Sequence, residues 1–344
     1  MHLSRGESHN MSLRMFFRIV VTTYLLSGVL LLRAQGNSPI VVASNAIEGP
    51  SGFSDGLCSL TEAILNANDT TSGMSSNGHD CTPANPDGND AIQLSDTVSL
   101  RHTFQQRNGN NALPIITSDI TILGEGHWIT GNQSDFRIFY VTETGRLRLE
   151  DVTVSGGVAN SSDDLGDRGG AVINFGVTEI VDSLLTGNIS QQTSNQLNFG
   201  VTAEGACSNR LPQVVSFQTN SANPPSSLNC PWEFQYANAA VISGGAAIYN
   251  YEGTVRISGT TISANNADTS GGGILNDGGQ LSITDSRFIG NIVSDPESFD
   301  GGGAIYNFAT GTVTIVQSYF AGNVAKNGGA ILSVFGGILD IADS

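Results

Sequence analysis

Lysine is almost missing from this chain: Lys326 is the only one in 344 residues. Charged residues make up 13% of the sequence, and 14 basic side chains face 31 acidic ones for a formal net charge of −17. Proteins that grip phosphate backbones need clustered lysine and arginine, so nucleic acid is excluded as a partner. Aromatic residues are sparse, at 7%. The apolar run at residues 19–32 falls short of the roughly 20 residues needed to cross a bilayer about 30 Å thick, and a multispan membrane protein is excluded with it. An apolar share of 39% is too high for a disordered acidic tail. The 42 glycines lack the every-third-residue period of collagen. What the chain has in excess is glycine, in a pattern that points to many tight turns.

Residues 1–34 read as an export signal. Arg5, Arg14 and Arg18 supply a basic start, the apolar run follows, and Arg33-Ala34 leads into polar sequence. Leu32 is larger than the small residue expected before a cleavage point, so an uncleaved N-terminal anchor is the alternative; Met11 would serve as a later start. Without residues 1–34 the chain carries 10 basic and 30 acidic side chains, a net −20. The four cysteines, Cys58, Cys81, Cys207 and Cys230, all lie beyond the leader, in two sequential pairs each 23 positions apart. An even count in an exported chain points to disulfides. Of three connectivities, Cys58–Cys81 and Cys207–Cys230 are preferred because each closes a local loop. Zinc is the weaker reading, since no C-x-x-C pair exists.

Five glycine-led segments recur, at Gly169, Gly244, Gly271, Gly302 and Gly328. All but the last are followed by a hydrophobic residue, two others and an asparagine: Leu185 and Asn188, Ile262 and Asn265, Phe288 and Asn291, Phe320 and Asn323. The anchor asparagines Asn250, Asn276 and Asn307 lie 26 and 31 residues apart. Short alternating runs such as Thr254-Val255-Arg256-Ile257 predict strands too brief to hold a sheet alone. Stacked coils resolve this by burying one continuous apolar column. Gly-Gly and asparagine are expected at corners of positive φ, and the asparagines are expected to stack in an amide ladder. The fold expected is an all-β parallel β-helix, a solenoid; a propeller blade needs a longer unit.

These repeats resemble those of the polymorphic outer membrane proteins. Asp55-Gly56-Leu57-Cys58-Ser59-Leu60-Thr61-Glu62-Ala63-Ile64 resembles the CSLREA domain found ahead of right-handed β-helices in bacterial surface proteins, with Thr61 where that motif usually has arginine. Asp90-Ala91-Ile92-Gln93-Leu94 and Leu113-Pro114-Ile115-Ile116 resemble the first coils after it. The resemblance covers most of residues 53–344 and implies a right-handed helix, a secreted or cell-surface location (bacterial outer membrane or extracellular), and an adhesin-like role.

The domain organisation expected is a signal at 1–34, a CSLREA-like cap at 35–110, and a β-helix at 111–344 with an insertion near 189–243. Ser59 and Glu62 fit a capping box, and Leu60, Ala63, Ile64 and Ala67 share one face of a short capping helix over the solenoid end. No element caps the C-terminal coil, so a fragment of a longer, anchored protein is expected. The insertion offers Trp232, Phe234 and Tyr236, which would stack on a sugar or a partner, or else pack the loop's own core.

Chemistry is harder to find. Asp182, Asp285 and Asp343 recur at one repeat position, with Gly259 and Gln317 between them, so no consecutive pair of carboxylates is expected there. Asp163, Asp164 and Asp167, beside Arg168, form a second cluster that would take a substrate or calcium, although a solvated loop is the plainer reading. His79, His102 and His127 lack metal-ligand spacing. The leading reading is a structural or adhesin-like binding module without a cofactor, meeting a polysaccharide or a host or cell-surface protein. A membrane would be reached only through the leader or an anchor beyond residue 344. The alternative is a carbohydrate-active β-helix, lyase-like or glycosidase-like, or a carbohydrate-binding one.

Overall fold

The computed structural model describes residues 38–43, 55–69, 80–82, 84, 89–163, 165–192, 243–294 and 301–344. The chain divides into Met1–Ser38 and Pro39–Ser344, and all described residues but Ser38 belong to the second unit. The leader, Cys207, Cys230, Trp232, Phe234, Tyr236 and Asp164 lie outside the described residues. Among the described residues no helix is long and apolar enough to cross a membrane.

The body is a right-handed parallel β-helix. Its first sheet stacks nine strands in one-coil steps, from Ile40–Val42 through Asn89–Leu94, Asp119–Leu123, Arg146–Glu150, Val177–Val181, Thr254–Ser258, Gln280–Thr284 and Thr312–Val316 to Ile338–Ala342. A ten-stranded and a six-stranded sheet complete the winding. Alternation decides which side chains enter the bore. Ile122, Leu149, Ile180, Ile257, Ile283 and Ile315 stand in register up the first sheet, and all are buried. The second sheet adds Ile129, Val154, Leu185, Ile262, Phe288 and Phe320; the last two rings stack at 4.8 Å. Burying each such side chain contributes about 1.5–3 kcal/mol.

The third sheet is covered on both faces. Its inward residues, among them Val172, Ile248, Ile274 and Ile305, join the main core. The alternate positions Tyr140, Ile173, Tyr249, Leu275 and Tyr306 form a second apolar cluster on the outer side. Period-2 reasoning expects solvent there.

Two asparagine ladders run along the axis. Asn174, Asn250 and Asn276 each donate Nδ2 to the next Oδ1 at 2.7, 2.7 and 2.8 Å, ending at Asn307, which donates to Ser333 Oγ at 3.1 Å. Asn188, Asn265, Asn291 and Asn323 form the second, at 3.0, 2.9 and 2.9 Å. The ladder asparagines correct one expectation: none of them has positive φ, and the first four sit in or at the ends of strands. The left-handed corners belong instead to glycines such as Gly271 and to Asp151, Asp182, Asp285, Gln317 and Asp343. Asp151 directly precedes Asp182 along the stack, as Glu150 does Val181, so that row does hold one consecutive acidic pair.

Helix α1, Leu60–Asn68, begins with the capping box: Ser59 Oγ accepts from Glu62 N at 3.2 Å, and Glu62 Oε2 accepts from Ser59 N at 3.0 Å. Leu60, Ala63, Ile64 and Ala67 join the main core beside the first strands of the first sheet. Cys58 and Cys81 form a disulfide next to it.

Candidate functional site: the outer faces of the third and first sheets

The loop after Thr153–Ala159 carries the acidic cluster, and the side chain that shapes this loop is Arg137. It is fully buried. Its Nε donates to the carbonyls of Arg168 and Gly169, Nη1 to Asn108 O and Asn111 Oδ1, and Nη2 to Leu165 O and Arg168 O, at 2.6–3.2 Å. Burial lowers its pKa to about 10, so it stays charged at neutral pH, held by acceptor oxygens. It pins residues 165–169 against the antiparallel pair Gln105–Gln106 and Asn110–Asn111. A lone arginine between Phe136 and Ile138 was the available signal, and motif reasoning passed over it.

This loop sends its two described aspartates to different partners. Asp163 is exposed and its Oδ2 accepts from Gly109 N at 3.1 Å. Asp167 is only 4% exposed, and its Oδ1 lies 3.7 Å from Arg168 Nε. That is an ion pair without a hydrogen bond, since neither atom has a hydrogen-bond partner. Burial pushes the Asp167 carboxyl up to about 6, against the opposing pull of Arg168. Among the described residues, no group of three or more His, Cys, Asp or Glu side chains gathers to hold a metal ion.

Arg168 turns outward onto the third sheet. Its guanidinium lies 5.1 Å over the Tyr249 ring, and Nη1 donates to the Tyr249 hydroxyl at 2.9 Å. That hydroxyl donates to Asp277 Oδ2 at 3.0 Å. Burial raises the pKa values of both Tyr249 and Asp277, and the nearby charge of Glu252 raises Asp277 further. Asp277 also interrupts a row of aromatic side chains, in register between Tyr251 and Phe308. Phe175 stacks on Tyr140 at 5.3 Å and meets Tyr251 at 5.8 Å; Phe308 meets Phe335 edge-on at 5.2 Å. Tyr251 and Phe335 are 37% and 60% exposed, so this edge presents rings and carboxyl groups to solvent. Sequence spacing missed Asp277 and Glu252, because they meet only once the coils are stacked.

The outer face of the first sheet carries a different lattice. Glu179 lies in register between Arg148 and Arg256. Its carboxylate reaches Arg146, Arg148 and Arg256 at 3.3, 3.2 and 3.5 Å. Arg146 and Arg148 also pair with Asp119 and Glu150. Beyond Arg256 the outward residues turn neutral: Gln280, Ser282, Thr312 and Thr314.

The fold and these faces define a parallel β-helix protein. Residues 317–334 match the Chlamydia polymorphic membrane protein repeat, which points broadly to the outer membrane or cell surface. No curated protein and no solved structure matches the chain.

Proposed function

We propose that the chain is a secreted or cell-surface β-helix protein that acts as an adhesin-like binding module. In this reading its lateral faces meet a polysaccharide or a host-surface protein, and no cofactor is needed. One observation carries the reading: the matched repeat falls within a single turn of the winding and takes in two of its three strands. Residues 317–334 take in the strand Tyr319–Ala321, the corner at Gly328 and the strand Ile331–Ser333. The resemblance of the Asp55–Ile64 segment to the CSLREA domain supports the same location. Beads coated with the full chain are expected to adhere to epithelial monolayers or polysaccharide-coated surfaces, with free chain competing. Adhesion no greater than that of albumin-coated beads would overturn the reading.

The partly buried Asp277 favours a second reading, a glycosidase-like activity. A carboxyl whose pKa burial raises, beside a second carboxylate, Glu252, is the kind of pair that glycoside hydrolysis uses. This reading expects the chain to release reducing ends from polysaccharides and Asp277→Asn to abolish that release. A native chain that releases none contradicts it.

A further inference from the structure

Three consecutive coils of the first sheet line an open groove of about 320 Å³ on its outer face, with Thr254, Arg256, Gln280, Ser282, Thr312 and Thr314 around it. That size lies near the lower end of the roughly 300–1,000 Å³ of small-molecule sites. Hydroxyls at the neighbouring corner are already committed. Ser183, Thr260, Ser286 and Ser318 each accept a backbone N–H from the preceding coil at 3.1–3.3 Å. In the groove, by contrast, the hydroxyls of Thr254, Ser282, Thr312 and Thr314 and the Gln280 carboxamide make no hydrogen bond among the described residues, and all are at least partly exposed.

Charge selects the occupant. The Arg256 guanidinium at one end already faces Glu179 at 3.5 Å. At the other end Asp340 stands in register with Thr314. The column is therefore flanked by carboxylates on a chain of net charge −17, and a polyanion is repelled. Coils stack about 4.8 Å apart, close to the length of one sugar in an extended chain, so hydroxyl donors and acceptors recur once per sugar.

We propose that this groove is a binding subsite for an uncharged linear polysaccharide lying along the solenoid axis. Gln280, Ser282, Thr312 and Thr314 hydrogen-bond its hydroxyls, and Arg256 donates from one end. The proposal rests on the binding-module reading and specifies its ligand chemistry.

The test immobilises the full chain and measures binding of neutral linear hexasaccharides of glucose, galactose, mannose and N-acetylglucosamine, with hexagalacturonate as the anionic comparison. At least one neutral probe is expected to bind, more tightly than hexagalacturonate. The combined variant Gln280→Ala, Ser282→Val, Thr314→Val changes only outward side chains and is expected to keep the native circular dichroism and melting point. It should bind about tenfold or more weakly, as the loss of neutral hydrogen bonds from three side chains predicts. Three results would overturn the proposal: no neutral probe binds, the variant binds as the native chain does, or hexagalacturonate binds better. Bead adhesion separates the two ideas. Adhesion that persists while the groove fails leaves the module reading standing on another face, whereas neutral-glycan binding without adhesion overturns the module reading alone.

Discussion

The Asn250 carboxamide is occupied on both sides: Nδ2 donates to Asn276 Oδ1 at 2.7 Å while Oδ1 accepts from Asn174 Nδ2 at the same distance. Asn276 repeats the pattern one coil later and donates to Asn307 and Gly279 O as well. All four asparagines are fully buried, so a lost partner leaves a polar group that water cannot reach. Asn276→Ala is expected to destabilise the chain by about 1–3 kcal/mol in urea unfolding. Asn276→Asp should cost more at neutral pH, because an ionised carboxylate cannot donate, and should recover partly in acid. Equal stability of all three chains would remove the ladder from the account.

The same ladder explains a glycine. Gly271 has φ of +56°, where any side chain is strained. Gly279 has no such angle, yet a Cβ there would overlap the Asn250 carboxamide and lie 2.7 Å from Gly253 O. Gly279→Ala is therefore expected to destabilise by about 1–3 kcal/mol through overpacking, and to do so less in an Asn250→Ala background. Additive losses in calorimetry would contradict this.

Asp167 makes stability depend on pH. Its folded pKa is about 6 against a reference value of 3.8. Between these values the folded chain holds more protons than the unfolded one, so stability falls as pH rises. The fall is roughly 3 kcal/mol from this group and levels off above about pH 6. Burial shifts Asp119 and Asp277 in the same direction and adds to the slope. Asp167→Asn should flatten the decline of the melting temperature between pH 4 and pH 6. An unchanged slope would show that the carboxyl titrates normally.

The Cys58–Cys81 bond joins residues 23 apart and ties the start of α1 to the segment at Asp80. Asp80 N in turn donates to Glu62 Oε1 at 3.3 Å. Loop-closure entropy assigns such a bridge about 3 kcal/mol. Replacing both cysteines with serine should lower stability by about that much, and faster amide exchange should appear in α1 ahead of the coils from Val177 onward. Loss of protection throughout at one rate would contradict a local role for the cap.

Much of the winding was legible in local signals. Ser59 and Glu62 announce the helix start, Phe288 and Phe320 mark one stacked column, and Asn250, Asn276 and Asn307 mark another. Those signals are periodic and need no knowledge of register. The outer site was not legible, because Arg168 meets Tyr249 81 positions away, across the insertion. Arg137 was hidden for a related reason: most of its partners are backbone carbonyls, which leave no trace in side-chain identity. The placing of Asn174, Asn250, Asn276 and Asn307 at corners failed because buried strand amides and turn amides share one residue type. Asp151 escaped because its coil lacks the paired-glycine marker by which the later coils are recognised.

The central claim is that recognition belongs to the wound lateral surface. Its most direct test is the adhesion of beads carrying the native chain, compared with beads carrying Asn276→Asp at a urea concentration where only the variant has unfolded. The account predicts that adhesion follows the fraction of wound chain and disappears with it. Equal adhesion by the wound native chain and the unfolded variant would contradict it.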